Sequence, residues 1–138
     1  MRAFPATRRP AGWPAITREN LTEIVSRLKT RGLPVLLAGM YAPPNLGSDY
    51  ADAFNAIYPA LARDEGLVFY PFFLDGVAGE RELNLADGMH PTADGIHVIV
   101  ERILPYVEDL IARVKEKRRE EAKAGETRTG DTKNQTTN

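Results

Sequence analysis

The sequence predicts an α/β fold built on a parallel sheet. Two short, continuous apolar runs, Val35-Leu36-Leu37-Ala38-Gly39-Met40 and Leu67-Val68-Phe69-Tyr70-Pro71-Phe72, suit strands buried on both faces. Stretches of helical apolar spacing alternate with these runs, and Gly or Pro punctuates the changeovers, as in α/β units. Thr17 can cap a first helix in which Leu21, Ile24, Val25 and Leu28 recur at i, i+3, i+4 and i+7, with Gly32 placed to end it. The first strand follows. A second helix carries Tyr50, Phe54, Ile57 and Leu61 at steps of four, three and four and ends near Gly66. In the second strand Pro71 has no N–H for a ladder, so pairing frays there or the strand lies at an edge. The last helix starts after Pro91 and carries Ile96, Ile99, Val100, Ile103, Val107, Leu110, Ile111 and Val114. Pro105 removes one of its backbone hydrogen bonds and is expected to kink it.

Length and composition fit one small globular domain: 138 residues, 43% hydrophobic, 27% charged, with a formal net charge of -1. No apolar run reaches the roughly 18 residues of a membrane-spanning helix, so no membrane partner is expected. The chain has no cysteine, which excludes disulfides and thiolate chemistry and is neutral on compartment. Residues 1–16 read as an irregular N-terminal segment, 17–114 as the α/β domain, and 115–138 as a charged tail, a frayed helical extension and then disorder. Lys115, Lys117, Arg118, Arg119 and Lys123 in that tail are nearly cancelled by Glu116, Glu120, Glu121 and Glu126. With no aromatic interleaved to stack a base, no nucleic-acid partner is expected. Met1 to Pro14 lacks the apolar core of a signal peptide. A full-length chain is then expected in the cytoplasm, and one that has lost an N-terminal signal in the periplasm or outside the cell.

The segment Leu85-Ala86-Asp87-Gly88-Met89-His90-Pro91-Thr92-Ala93-Asp94-Gly95 carries the chemistry. It sets a carboxylate and an imidazole three residues apart on a turn before a helix. An Asp that accepts the Nδ1 proton of a His fixes the tautomer and leaves Nε2 as a general base, half of a charge-relay system. Ordinary turn chemistry is the other reading: Asp-Gly favours a tight turn, and Pro91 pushes His90 into an extended conformation.

The Asp87-to-Gly95 run, with Ala42-Pro43-Pro44-Asn45-Leu46-Gly47 and Ile57-Tyr58-Pro59-Ala60-Leu61 upstream, resembles the C-terminal half of the SGNH (GDSL-type) ester hydrolases. The likeness is to their arylesterase, acyl-CoA thioesterase and lysophospholipase-like branch and runs from Thr17 to Ile111. It implies part of a three-layer α/β/α, flavodoxin-like fold, with the N-terminal strands missing. It also implies a carboxylic ester or thioester hydrolase in which Asp87 orients His90 as base, with no cofactor and no metal. The family's Gly-Asp-Ser-Leu block, its oxyanion-hole Gly and its Gly-x-Asn-Asp block would lie earlier, and none is present. The resemblance thus implies a family member lacking its N-terminal part.

The chain holds two serines, Ser26 and Ser48. Ser48 follows the first strand's loop and is a possible nucleophile, or simply the N-cap of the Tyr50 helix. Ser26 falls mid-helix. Ligands in open parallel sheets bind beyond the carboxyl ends of the strands. The loop after the first strand lies on that rim, and the resemblance implies that it borders the acyl site, which makes Tyr41, Pro43 and Asn45 candidate substrate-pocket residues; otherwise they only turn the chain. Asp87, His90, Asp94 and His97 repeat one spacing and raise a divalent metal site as an alternative. Pro91 takes His90 out of helical register, so convergence of the four is not expected. A second function class is a non-catalytic fragment that dimerises, or binds a complementing N-terminal fragment, through the sheet edge that missing strands would have covered.

Overall fold

A computed structural model describes residues 12–131 of the chain. In order they form helix α1 (Trp13–Thr30), strand β1 (Leu36–Ala38), helix α2 (Ser48–Asn55), helix α3 (Ile57–Glu65), strand β2 (Val68–Tyr70) and helix α4 (Ala93–Asp131). Short 3-10 turns lie at Pro44–Leu46 and Arg81–Leu83. The strands pair in parallel, with Leu36 opposite Val68, Leu37 opposite Phe69 and Ala38 opposite Tyr70. Alternation along each strand sends Leu37 and Phe69 to one face, where they pack with Val25 of α1 and Leu61 and Ala62 of α3. Val68 and Tyr70 point to the other face, and the Tyr70 ring lies 5.0 Å from that of Tyr106 on α4. The result is helix, sheet and helix in three layers, the architecture expected.

Helix α1 starts earlier than expected. Pro14 occupies its first turn, where a missing N–H costs nothing, and Thr17 Oγ1 bonds back to the Trp13 carbonyl at 3.0 Å instead of capping. Residues 13–16 of the expected irregular segment are therefore helical, while 1–11 lie outside the described residues. Of the expected apolar stripe, Val25 is buried and Ile24 is exposed.

The single second helix expected is two helices. Pro59 has no N–H to offer the Asn55 carbonyl and its ring crowds that group, so the helix breaks at Ala56 between Asn55 and Ile57. Gly66 closes α3 as anticipated, with the Leu67 N–H reaching back to the Ala62 carbonyl at 2.9 Å. Each strand is three residues long, shorter than its apolar run. Strand β2 ends at Tyr70, immediately before Pro71. Contact between the two strand segments continues one step further, through Gly39 N–H to the Tyr70 carbonyl (2.8 Å) and Phe73 N–H to the Gly39 carbonyl (2.9 Å).

The tail from 115, expected as a frayed helical extension that gives way to disorder, is helical up to Asp131, and 132–138 lie outside the described residues. Its Lys, Arg, Glu and Ala residues are strong helix formers, and pairs such as Lys117 with Glu121 and Arg119 with Glu116 support the turn-to-turn geometry. Lys117 Nζ also donates to the Gly32 carbonyl at the end of α1, and Arg113 donates to the Gly66 carbonyl (3.2 Å) at the end of α3. Pro105 sits inside α4 without ending it. No helix among the described residues is long and apolar enough to cross a membrane.

Leu61 is 4% exposed at the centre of the α1, α3 and sheet cluster. Leu61→Ala is expected to lower unfolding free energy by about 2–5 kcal/mol, read by urea denaturation. A loss below about 1 kcal/mol would show that this cluster is not the core.

Candidate active site

The segment holding Asp87 and His90 is a small antiparallel ribbon. Asn84 and Pro91 form a bridge, Thr92 N–H donates to the Leu83 carbonyl (2.9 Å), and Leu85 N–H donates to the His90 carbonyl (2.7 Å). The tip closes with Gly88 N–H on the Leu85 carbonyl at 2.8 Å, and Gly88 takes φ 68°, a left-handed conformation that suits glycine. Thr92 then caps α4: its Oγ1 accepts from Gly95 N–H at 3.2 Å. A Cβ at Gly95 would overlap the Leu83 carbonyl, so glycine lets the helix start sit directly on the ribbon.

Asp87 and His90 meet at the tip. Asp87 Oδ2 lies 2.6 Å from His90 Nδ1, while Oδ1 accepts the N–H groups of Met89 (2.9 Å) and His90 (3.0 Å). Those bonds hold the Asp87 carboxyl well below the usual carboxylate range, the Met89 N–H most strongly, then the His90 ring, then the His90 N–H. The carboxylate stays charged, so Nδ1 must carry a hydrogen to share with it, and Nε2 is left as the basic nitrogen. Both side chains face solvent, His90 at 70% and Asp87 at 44% exposure, so hydrogen bonds and not packing set their geometry.

The parallel register brings the loops after β1 and β2 out at the same end of the sheet. Tyr41 and Phe72 join them, with ring centroids 4.6 Å apart. Ala42 N–H donates to Asn55 Oδ1 at 2.8 Å, and the Pro43 carbonyl accepts from Leu46 N–H at 3.2 Å. Asn45 is exposed within the 3-10 turn. Ser48 is the first residue of α2; Gly47 holds the cap position, no side chain caps the helix, and Ser48 Oγ lies 3.4 Å from Asp49 Oδ1. Ser48 is thus not the N-cap expected. Among the described residues, Asp87 and His90 come together, and no hydrogen bond joins Ser48 or Asn45 to either. No group of three or more His, Asp or Glu among the described residues is arranged to hold a metal ion, so Asp94 and His97 do not extend the pair into a metal centre. Sequence reasoning missed the capping role of Thr92, although a Thr just before a helical apolar pattern is the signal for it.

Residues 7–98 match the GDSL-like lipase/acylhydrolase family. The chain is similar to Esterase TesA of Pseudomonas aeruginosa, with 36% identity over 98 residues that make up 71% of this chain and 49% of the relative. It is also similar to Thioesterase 1/protease 1/lysophospholipase L1 of Escherichia coli K12, at 31% identity over 71% of this chain and 47% of the relative. Among solved structures it resembles AlinE4, an SGNH-hydrolase family esterase, with TM-score 0.52 and 43% identity over 70% of this chain and 51% of that one. The chain spans about half the length of the curated relatives it matches.

An unfolded Asp protonates near about 3.9, whereas folded Asp87 does so at lower pH, so across that window the unfolded chain binds the extra proton and stability rises with pH. The Asp87 contribution is present above the unfolded value and is lost as pH falls through the folded one. Thermal melts between about pH 5 and pH 2 are expected to fall more steeply for the wild type than for Asp87→Asn. Parallel pH profiles would remove the depressed carboxyl.

Proposed function

Because the chain belongs to the GDSL-like lipase/acylhydrolase family, we propose that it supplies the acid–base half of a carboxylic ester or thioester hydrolase site, with His90 as base and Asp87 as its orienting group. The 2.6 Å contact between Asp87 Oδ2 and His90 Nδ1 is the observation that carries this reading. It leaves Nε2 to take the proton of a serine hydroxyl as the oxygen attacks the acyl carbon. The protonated imidazole, stabilised by the Asp87 carboxylate, then gives that proton to the departing alcohol or thiol. A water deprotonated by the same nitrogen releases the acid from the acyl-serine. Tyr41, Pro43 and Asn45 border the acyl group in this proposal, from the loop that shares a rim with the His90 ribbon. The serine belongs to a polypeptide carrying the Gly-Asp-Ser-Leu block, with Ser48 as the alternative nucleophile. Ester and thioester substrates are proposed together, since the similar proteins include an esterase and a thioesterase by name.

A second reading, non-catalytic association, is favoured by apolar side chains left in solvent. Ile16 and Ile24 of α1 and Ile96, Val100, Leu104 and Ile111 of α4 are each about half exposed. Among the described residues the sheet has two strands, which leaves both of its edges unpaired there. A second copy of the chain, or a complementing N-terminal fragment, would cover these surfaces.

Hydrolysis of p-nitrophenyl acetate and butyrate is expected to fall about 10²–10⁴-fold in His90→Ala and to be unchanged in Ser48→Ala, measured with an N-terminal fragment carrying a Gly-Asp-Ser-Leu block added. Equal rates for wild type and His90→Ala would sink the acid–base role, and loss in Ser48→Ala would make that residue the nucleophile. Size-exclusion chromatography with light scattering is expected to give a mass above one chain. A well-folded strict monomer would count against self-association.

A further inference from the structure

Between Val77, which is fully buried, and Gly95, no side chain is buried, and the Asp87–His90 turn lies in the middle of that exposed stretch. No buried side chain anchors the site, so hydrogen bonds must do much of the holding. The Asn84 side chain stands at the base of the ribbon and donates through Nδ2 to two backbone carbonyls, those of Val77 (2.6 Å) and Glu80 (2.8 Å). Both neighbours are acceptors only, so the amide nitrogen, not its oxygen, must face them. Each Nδ2 hydrogen is used, and one side chain ties the ribbon to the turn anchored by Val77. Beyond Asn84 the ribbon continues through the bridge to Pro91 and the Leu85 N–H bond to the His90 carbonyl.

We infer that Asn84 is the positioning residue of the Asp87–His90 pair, a conclusion that rests on the acid–base reading above. It acts through the ribbon, without touching either group. With Asn84 in place the two arms stay in register, the Met89 and His90 N–H groups stay aimed at Asp87 Oδ1, and Oδ2 stays on the imidazole. Without it, the Val77 and Glu80 carbonyls turn to water and the arm from Arg81 to Ala86 loses its side-chain tie to the Val77 turn. The carboxylate and imidazole then separate, although nothing in the core has changed.

The chain has two histidines, so the imidazole nitrogens of His90 can be read by ¹⁵N NMR with His97, which lies on α4, as internal control. At a pH where the rings are neutral, the wild type is expected to hold His90 in the Nδ1–H tautomer. Asn84→Ala is expected to lose that preference and to exchange the Leu85 and Thr92 amide hydrogens on the order of ten-fold faster. The His97 signals and the melting temperature should remain close to wild type. Asn84→Ser, whose hydroxyl can serve only one of the two carbonyls, covers the case in which the alanine variant fails to fold, and is expected to shift the tautomer in the same direction. Wild-type tautomer and exchange in a folded Asn84 variant would overturn the inference while leaving the pair intact. Asp87→Asn separates the two ideas: a His90 tautomer that survives this change would overturn the pairing itself, and the role of Asn84 with it.

Discussion

Parallel pairing of two three-residue strands decides where everything else goes. Parallel neighbours require the chain to cross over between them, and here α2 and α3 make that crossover on the face opposite α4. The same pairing forces both post-strand loops to leave at one end. One loop brings Tyr41 and the turn around Asn45, and the other brings the ribbon that holds Asp87 and His90. The Gly39 hydrogen bonds and the Tyr41–Phe72 ring contact extend the pairing past the strands, so the two loops are fastened to each other before they diverge.

At that end the chemistry is set by backbone amides more than by burial. A carboxylate in open solvent gains little from a neighbouring imidazole alone, because water screens the interaction. Asp87 departs from this because two N–H groups aim at one of its oxygens and leave the other to the ring. The orientation is thus pre-set while the pair is still wet. Covering the site would lower the local dielectric and strengthen every one of these interactions without moving an atom.

Much of this was legible in the sequence, and the exceptions have physical causes. Two continuous apolar runs separated by a helix-length segment identify a parallel sheet, and the Asp-x-x-His spacing on a turn before a helix identified the residues that meet. Helix boundaries were harder. Pro14 suits a helix start that a search for a capping Thr passes over, and Pro59 breaks a helix whose apolar spacing runs straight through it. The charged segment after Lys115 looked unable to bury anything, yet it needs little burial when Lys117 reaches back to the end of α1. Asn84 offered no periodicity and no motif; only the distances to two carbonyls reveal what it does. Whether Ser48 caps a helix also depended on the conformation of Gly47, which composition does not fix.

Helix α4 gives the molecule a mechanical property. It begins at the Thr92 cap beside the ribbon, and about 36 Å later, at roughly 1.5 Å per residue, Lys117 grips the far pole of the sheet. A strut fastened at both poles resists tilting as a unit. Loosening its distal clasp would give the imidazole end freedom to swing, so the two extremities of the fold share one rigidity.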